Sequence, residues 1–231
     1  MFRTVLLTLG LLAPTPAPAD FVLNNLRFTL YHEVAHAMID QLHLPIFGPE
    51  ENAADSFAIV FADRVHDEAA NQAFIRDLVE LGRAEAIEEY FDPWQEYMPG
   101  AQRTARAICI WYGMEPSARG DLARALGMPP KEARACREAG SAIKRAWSTV
   151  IDDARPEPGA AMTLRPAAQG KALRLLEADI ARVNALIALP NVTPLTVEDC
   201  GQDNAYYYHY DDRMVICSEM VGALRERAAR R

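Results

Sequence analysis

Apolar residues return at helical spacing along most of the chain. Over residues 21–43, Leu26, Leu30, Val34, Met38 and Leu42 recur every fourth position, while Leu23 and Phe28 widen the stripe. This pattern predicts a helix buried around most of its circumference, ended by Pro45 and the Gly48-Pro49 pair. Ala54, Phe57, Ala58, Phe61, Ala62 and Val65 predict a second core helix over residues 50–70. Phe74, Leu78, Leu81 and Ile87 predict a third over 71–90, whose Glu85, Glu88 and Glu89 form a solvated face. Residues 91–101 turn to Asp, Pro, Trp, Tyr and Gly and predict a loop able to line a cleft.

Helices follow over 102–112 and 122–126, and a long one over 131–151 opens after Pro130. The Pro- and Gly-rich stretch 152–169 predicts an exposed loop. Residues 171–189 predict an amphipathic helix closed by Pro190. Val, Thr, Tyr and Ile then dominate 192–217, and Asp211-Asp212 offers a turn between two short strands. The last residues, 219–230, predict a basic helix. The fold class is therefore mainly α (α+β), a helical domain with a small C-terminal β-hairpin.

Composition narrows this picture in three ways. At 231 residues, half hydrophobic and 24% charged, the chain fits one well-packed domain. A net charge of −8 argues against a nucleic-acid partner, which would need clustered Lys and Arg. At the N-terminus, Arg3 precedes an apolar run to Leu12, and Ala17-Pro18-Ala19 offers a small-x-small cleavage site before Asp20. Residues 1–19 read as a secretory signal peptide, too short in its apolar part to span a bilayer. The mature domain, 20–231, is then periplasmic or secreted, with no stable membrane insertion after cleavage. Four cysteines in an exported chain suggest two disulfides, and proximity favours Cys109 with Cys136 and Cys200 with Cys217.

The chemistry concentrates in the first predicted helix. His32, Glu33 and His36 form an HExxH motif. Positions i and i+4 lie on one helical face, so the two imidazoles converge on one point as metal ligands. Glu33 is placed to serve the open side of the ion as general base. A catalytic zinc site needs a third protein ligand and keeps a fourth position open, and His₂Glu is a common set. Glu51 at the start of the second helix is the choice for that ligand. Asp55, one turn on, can orient a ligand imidazole. Glu50 is accounted for by the helix macrodipole alone.

Three blocks of residues resemble a family of candidate bacterial zinc metallopeptidases known chiefly as a domain of unknown function. The first runs over 24–55, with HExxH, Leu44-Pro45 and Gly48-Pro49-Glu50-Glu51-Asn52-Ala53-Ala54-Asp55. The second is Gln102-Arg103, Cys109 and Tyr112-Gly113; the third is Cys200-Gly201, Asn204-Ala205, Ile216-Cys217 and Glu219. Glu51 and Asp55 also form an ExxxD that resembles the second motif of gluzincins. That resemblance implies a zincin-like domain with Glu51 as third ligand and Asp55 supporting a histidine. The short spacing from His36 keeps Asp55 and Glu50 open as alternative ligands. Where the family is expected to carry a His, this chain has Tyr97, whose hydroxyl is a candidate oxyanion donor. By resemblance to the edge strand of zincins, Asn204, Tyr206 and Tyr208 are candidates for substrate binding by strand addition. His209, near the turn, reads as a surface residue.

The expectation is an exported zinc metallopeptidase with one Zn²⁺ and a peptide or protein substrate. The competing reading is a zinc-binding periplasmic interaction or regulatory protein without turnover. A closed structural site would instead require a fourth protein ligand.

Overall fold

A computed structural model describes residues 18–90 and 92–231. The expected signal peptide lies outside these residues, apart from Pro18 and Ala19, which open the first helix. That helix, α1 (Pro18–Gln41), is the spine of the molecule. Leu26, Leu30, Tyr31, Val34, Ala35 and Met38 are fully buried, because α1 is flanked by helices on several sides and by the sheet. The all-round burial matches its sequence pattern.

Around it stand α2 (Glu50–Val65), α3 (Glu68–Glu88) and α4 (Gly100–Met114). The helix expected over 50–70 is in fact interrupted at His66 and Asp67. Asp67 caps α3 by accepting the Ala70 N–H at 2.8 Å, and Asn71 donates to the carbonyls of His66 and Asp67. A short polar side chain thus competes with helix continuation. Next come α5 (Pro116–Ala125), a single 3₁₀ turn at Pro130–Glu132, and α6 (Ala133–Asp153).

α4 and α6 approach most closely at Gly113 and Gly140. A Cβ added at Gly113 would stand 1.9 Å from the Cys136 carbonyl oxygen. One turn away, the Cys109–Cys136 disulfide joins the same two helices. Backbone proximity and covalent link therefore reinforce each other.

The stretch expected to be an exposed loop, 152–169, contains β1 (Leu164–Pro166), with Thr163 and Leu164 buried. β1 pairs in parallel with β2 (Thr193–Glu198), and between them run α7 (Lys171–Leu175) and α8 (Glu177–Leu186). The helix predicted over 171–189 is broken at Leu176, whose ψ of 3° tips the chain into a new direction. The expected hairpin is present as β3 (Ala205–Tyr208) and β4 (Arg213–Cys217), antiparallel and linked through Asp211-Asp212. It belongs to a larger unit, a four-stranded mixed sheet in the order β1-β2-β4-β3. Cys200 and Cys217 are disulfide-bonded and tie the β2–β3 loop to the end of β4. α9 (Met220–Ala228) returns to pack on α1.

β3 pairs with one strand only, and its other edge runs beside α1. Tyr207 fixes that placement. Its buried hydroxyl lies 2.9 Å from the carboxylates of both Asp40 and Asp212, and Gln41 reaches it at 3.4 Å. No helix among the described residues is long and apolar enough to cross a membrane.

Candidate metal centre

His32 and His36 face one another across one turn of α1, with their Nε2 atoms 3.1 Å apart. The turn at residues 42–49 brings the N-terminus of α2 back over this face. Glu51 then closes a triangle, with Oε2 3.0 Å from His32 Nε2 and Oε1 3.6 Å from His36 Nε2. Donors around a tetrahedral ion bound at about 2.0–2.1 Å stand roughly 3.3–3.4 Å apart. The triangle has that size.

The outer sides of the imidazoles are occupied too. His32 Nδ1 lies 2.9 Å from Asp55 Oδ1, and His36 Nδ1 lies 2.7 Å from Glu50 Oε1. A carboxylate can only accept at these positions, so each Nδ1 carries a proton, and a ring that is neutral presents its Nε2 lone pair inward. Two imidazole nitrogens and a carboxylate oxygen then meet at one point, where a proton on Nε2 can bridge His32 to Glu51 and a cation can take that proton's place. Such a donor set fits a cation. Among the described residues three donors converge here, leaving a fourth direction open.

Electrostatics point the same way. Burial opposes charge on His32, but the hydrogen bonds it donates to Asp55 and Glu51 outweigh it and its pKa is pushed up to about 9. Burial likewise works against an ionised Glu51, yet the two imidazoles hold its carboxyl well below the ordinary range. The centre favours positive charge between these groups. Glu33, buried beside them, has its pKa raised chiefly by burial; the imidazoles and the Tyr207 backbone N–H of edge strand β3 work against that rise.

Asp55 is itself held. Arg103 of α4 grips it with two bonds, Nε to Oδ2 at 2.6 Å and Nη2 to Oδ1 at 2.7 Å. Despite its buried position, Asp55 stays below the usual carboxylate range because of Arg103 and His32. The Arg103 guanidinium also lies over the rings of Tyr97 and Phe28, at 4.8 and 5.7 Å from their centroids. Tyr97 in turn stacks on His32 at 6.5 Å and interacts with the Glu51 carboxylate. Its loop is anchored by the Gly100 N–H, which donates to Glu89 at 2.6 Å.

The structure therefore gathers His32, Glu33, His36, Glu51, Asp55 and Tyr97 at one centre. Asn204 reaches the rim of the adjoining cavity, whereas Tyr206 and Tyr208 share the outer face of β3 and do not line it. His209 is half exposed, 3.6 Å from Asp40. Two residues play parts that sequence reasoning did not give them. Glu50 is the partner of His36 and not merely a macrodipole complement. Arg103, noticed only within a resemblance block, is the clamp on Asp55.

A helix-borne pair of histidines, a carboxylate from the next helix and a buried glutamate beside them form a candidate metal site. A family model described as "Putative metallopeptidase" matches residues 13–151, more than half of the chain, and the chain belongs to that family. No curated protein and no solved structure matches it.

Proposed function

We propose that the protein is an exported zinc metallopeptidase in which His32, His36 and Glu51 hold the ion and Glu33 is the general base. The triangle of three inward-facing donor atoms, with both outer imidazole nitrogens already satisfied by carboxylates, carries this reading. Two imidazoles and one carboxylate with an open fourth direction suit zinc in a catalytic rather than a closed structural site. Zinc bound there supplies Lewis acidity toward a peptide carbonyl and lowers the pKa of a water towards about 7.

The chain's own residues do the rest. Glu33 takes a proton from the attacking water and returns it to the leaving amine. Asp55 and Glu50 keep both rings in the tautomer that presents Nε2. Tyr97, above His32, supplies a hydroxyl to the oxygen that gains charge. The edge of β3 that pairs with no strand, beside α1, is the candidate for docking an extended peptide, and Asn204 stands at its start. Two disulfides and the apolar N-terminal run support a periplasmic or secreted location. Peptides or proteins are the substrates; the charge of −8 does not suit nucleic acid.

The test combines metal analysis with digestion of a peptide library, with and without chelator. Wild-type protein should bind one zinc and cleave, and chelation should stop cleavage. Glu33→Gln should keep its zinc and lose hydrolysis by a factor of roughly a thousand or more. Full activity in that variant sinks the mechanism. Stoichiometric zinc without cleavage of any peptide leaves the non-hydrolytic binding protein as the surviving reading.

A further inference from the structure

The loop between α3 and α4 carries Tyr97 to the metal centre, yet its own backbone is barely tied to the fold. Among the described residues, the backbone hydrogen bonds of 92–98 stay inside the loop, where the Trp94 N–H donates to Asp92 Oδ1 at 2.9 Å and the Gln95 N–H to the Asp92 carbonyl at 3.3 Å. Trp94 is 91% exposed and anchors nothing. Glu89 holds the base of the loop, accepting from the Gly100 N–H at 2.6 Å and from Gln95 Nε2 at 3.4 Å. Neither bond orients the Tyr97 ring.

Arg103, in the first turn of α4, does orient it. Its Nε and Nη2 both donate to the buried Asp55, at 2.6 and 2.7 Å, and two bonds along one edge fix the plane of a guanidinium as well as its position. The guanidinium carbon lies over the Tyr97 ring, 4.8 Å from its centroid, where the ring face attracts a cation. Tyr97 is stacked in turn on His32, 14° from parallel, and interacts with the Glu51 carboxylate. One guanidinium thus reaches the metal centre twice, through Asp55 to His32 and through the face of Tyr97.

We infer that Arg103 is a positioning residue of the proposed peptidase, its guanidinium locked in plane by Asp55 and holding the Tyr97 ring beside His32 so that the hydroxyl stays at the metal centre. The role of that hydroxyl in a reaction rests on the peptidase reading, but the seating of the ring can be measured without turnover. Lysine carries the charge that Asp55 needs without the planar fork that sets a ring in place. Arg103→Lys therefore separates the two duties.

The experiment compares wild type, Arg103→Lys, Tyr97→Phe and the double variant, all loaded with zinc. Nitration of Tyr97 by tetranitromethane, mapped by mass spectrometry, reads how freely the ring stands. Zinc affinity is read by competition with a chromogenic chelator, and kcat and KM by peptide cleavage. Arg103→Lys should keep zinc affinity within about threefold, nitrate several-fold faster at Tyr97, and lose about 10- to 100-fold in kcat with KM little changed. In the Tyr97→Phe background the same substitution should cost no more than about twofold in kcat, since the group it positions is gone.

An unchanged nitration rate in Arg103→Lys overturns the inference. So does a loss of kcat that is as large in the Tyr97→Phe background as in the wild type, and then the peptidase reading stands alone. Should the lysine variant not fold, Arg103→Gln combined with Asp55→Asn leaves no unpaired buried charge and decides the matter by the same nitration measurement. Faster nitration at Tyr97, without cleavage of any peptide by the wild type, upholds the seating of the ring and removes hydrolysis.

Discussion

Asp55 accepts from His32 with the same carboxylate that Arg103 grips from behind, so three side chains are fixed in one line. Glu50 does the equivalent for His36 but is more exposed, with 32% of its side chain accessible against 9% for Asp55. Water can replace a partner at the Glu50 position far more easily. Asp55→Ala should therefore weaken zinc binding about 10- to 100-fold, with Glu50→Ala at the lower end of that range or below it, measured by competition with a chromogenic chelator. A larger loss for Glu50→Ala would reverse the assignment of which imidazole is the more firmly positioned. The sequence made these roles unequally visible. His32, Glu33 and His36 declare themselves within one turn, and Glu51 and Asp55 share one face of the next helix. Glu50 already had a sufficient local explanation at a helix start, and its partner is fourteen positions upstream. Arg103 is forty-eight positions from Asp55, with no periodicity to connect them.

Helices carried by a repeated apolar stripe were legible, because a period of 3.6 survives whatever the helix packs against. β1 was not, since three residues offer no period and its pairing with β2 is set by tertiary contact. Helix junctions at His66-Asp67 and Leu176 were also missed, being decided by one side chain or one dihedral inside an otherwise helical pattern. Among element contacts, the crossing of α4 and α6 is the least tolerant. Gly113→Ala would drive a methyl group into the Cys136 carbonyl and push apart helices that a disulfide holds together. It should destabilise the protein by about 1–3 kcal/mol or more in urea denaturation, whereas Gly222→Ala, with open space around it, should not. Equal midpoints for the two variants would mean that the helices separate without penalty.

Across the whole molecule, a second buried polar cluster ties α8 to α1 on the side away from His32 and His36. Asp179 is fully buried and receives Tyr31 at 2.6 Å, Arg27 at 3.0 Å and Arg182 at 2.8 Å, with His66 Nε2 3.5 Å away. Burial would raise its pKa, but His66, Tyr31 and Arg27 prevail and hold it well below the usual range. A depressed folded-state pKa contributes stability above the unfolded value of about 3.9 and loses it as pH falls through the folded one. Asp179→Asn should thus cost about 3–5 kcal/mol at neutral pH by leaving Arg27 without its buried partner. The gap to wild type should narrow as pH drops below about 4, followed by denaturation at a series of pH values; a gap independent of pH would place the cost elsewhere. The metal centre is likewise a property of the assembled molecule, because α1 supplies two donors, α2 the third, and α4 the arginine behind them. An ion bound there would be tied to α1 and α2 at once, so in terms of residence time its release would be coupled to local opening of these helices and would report on it.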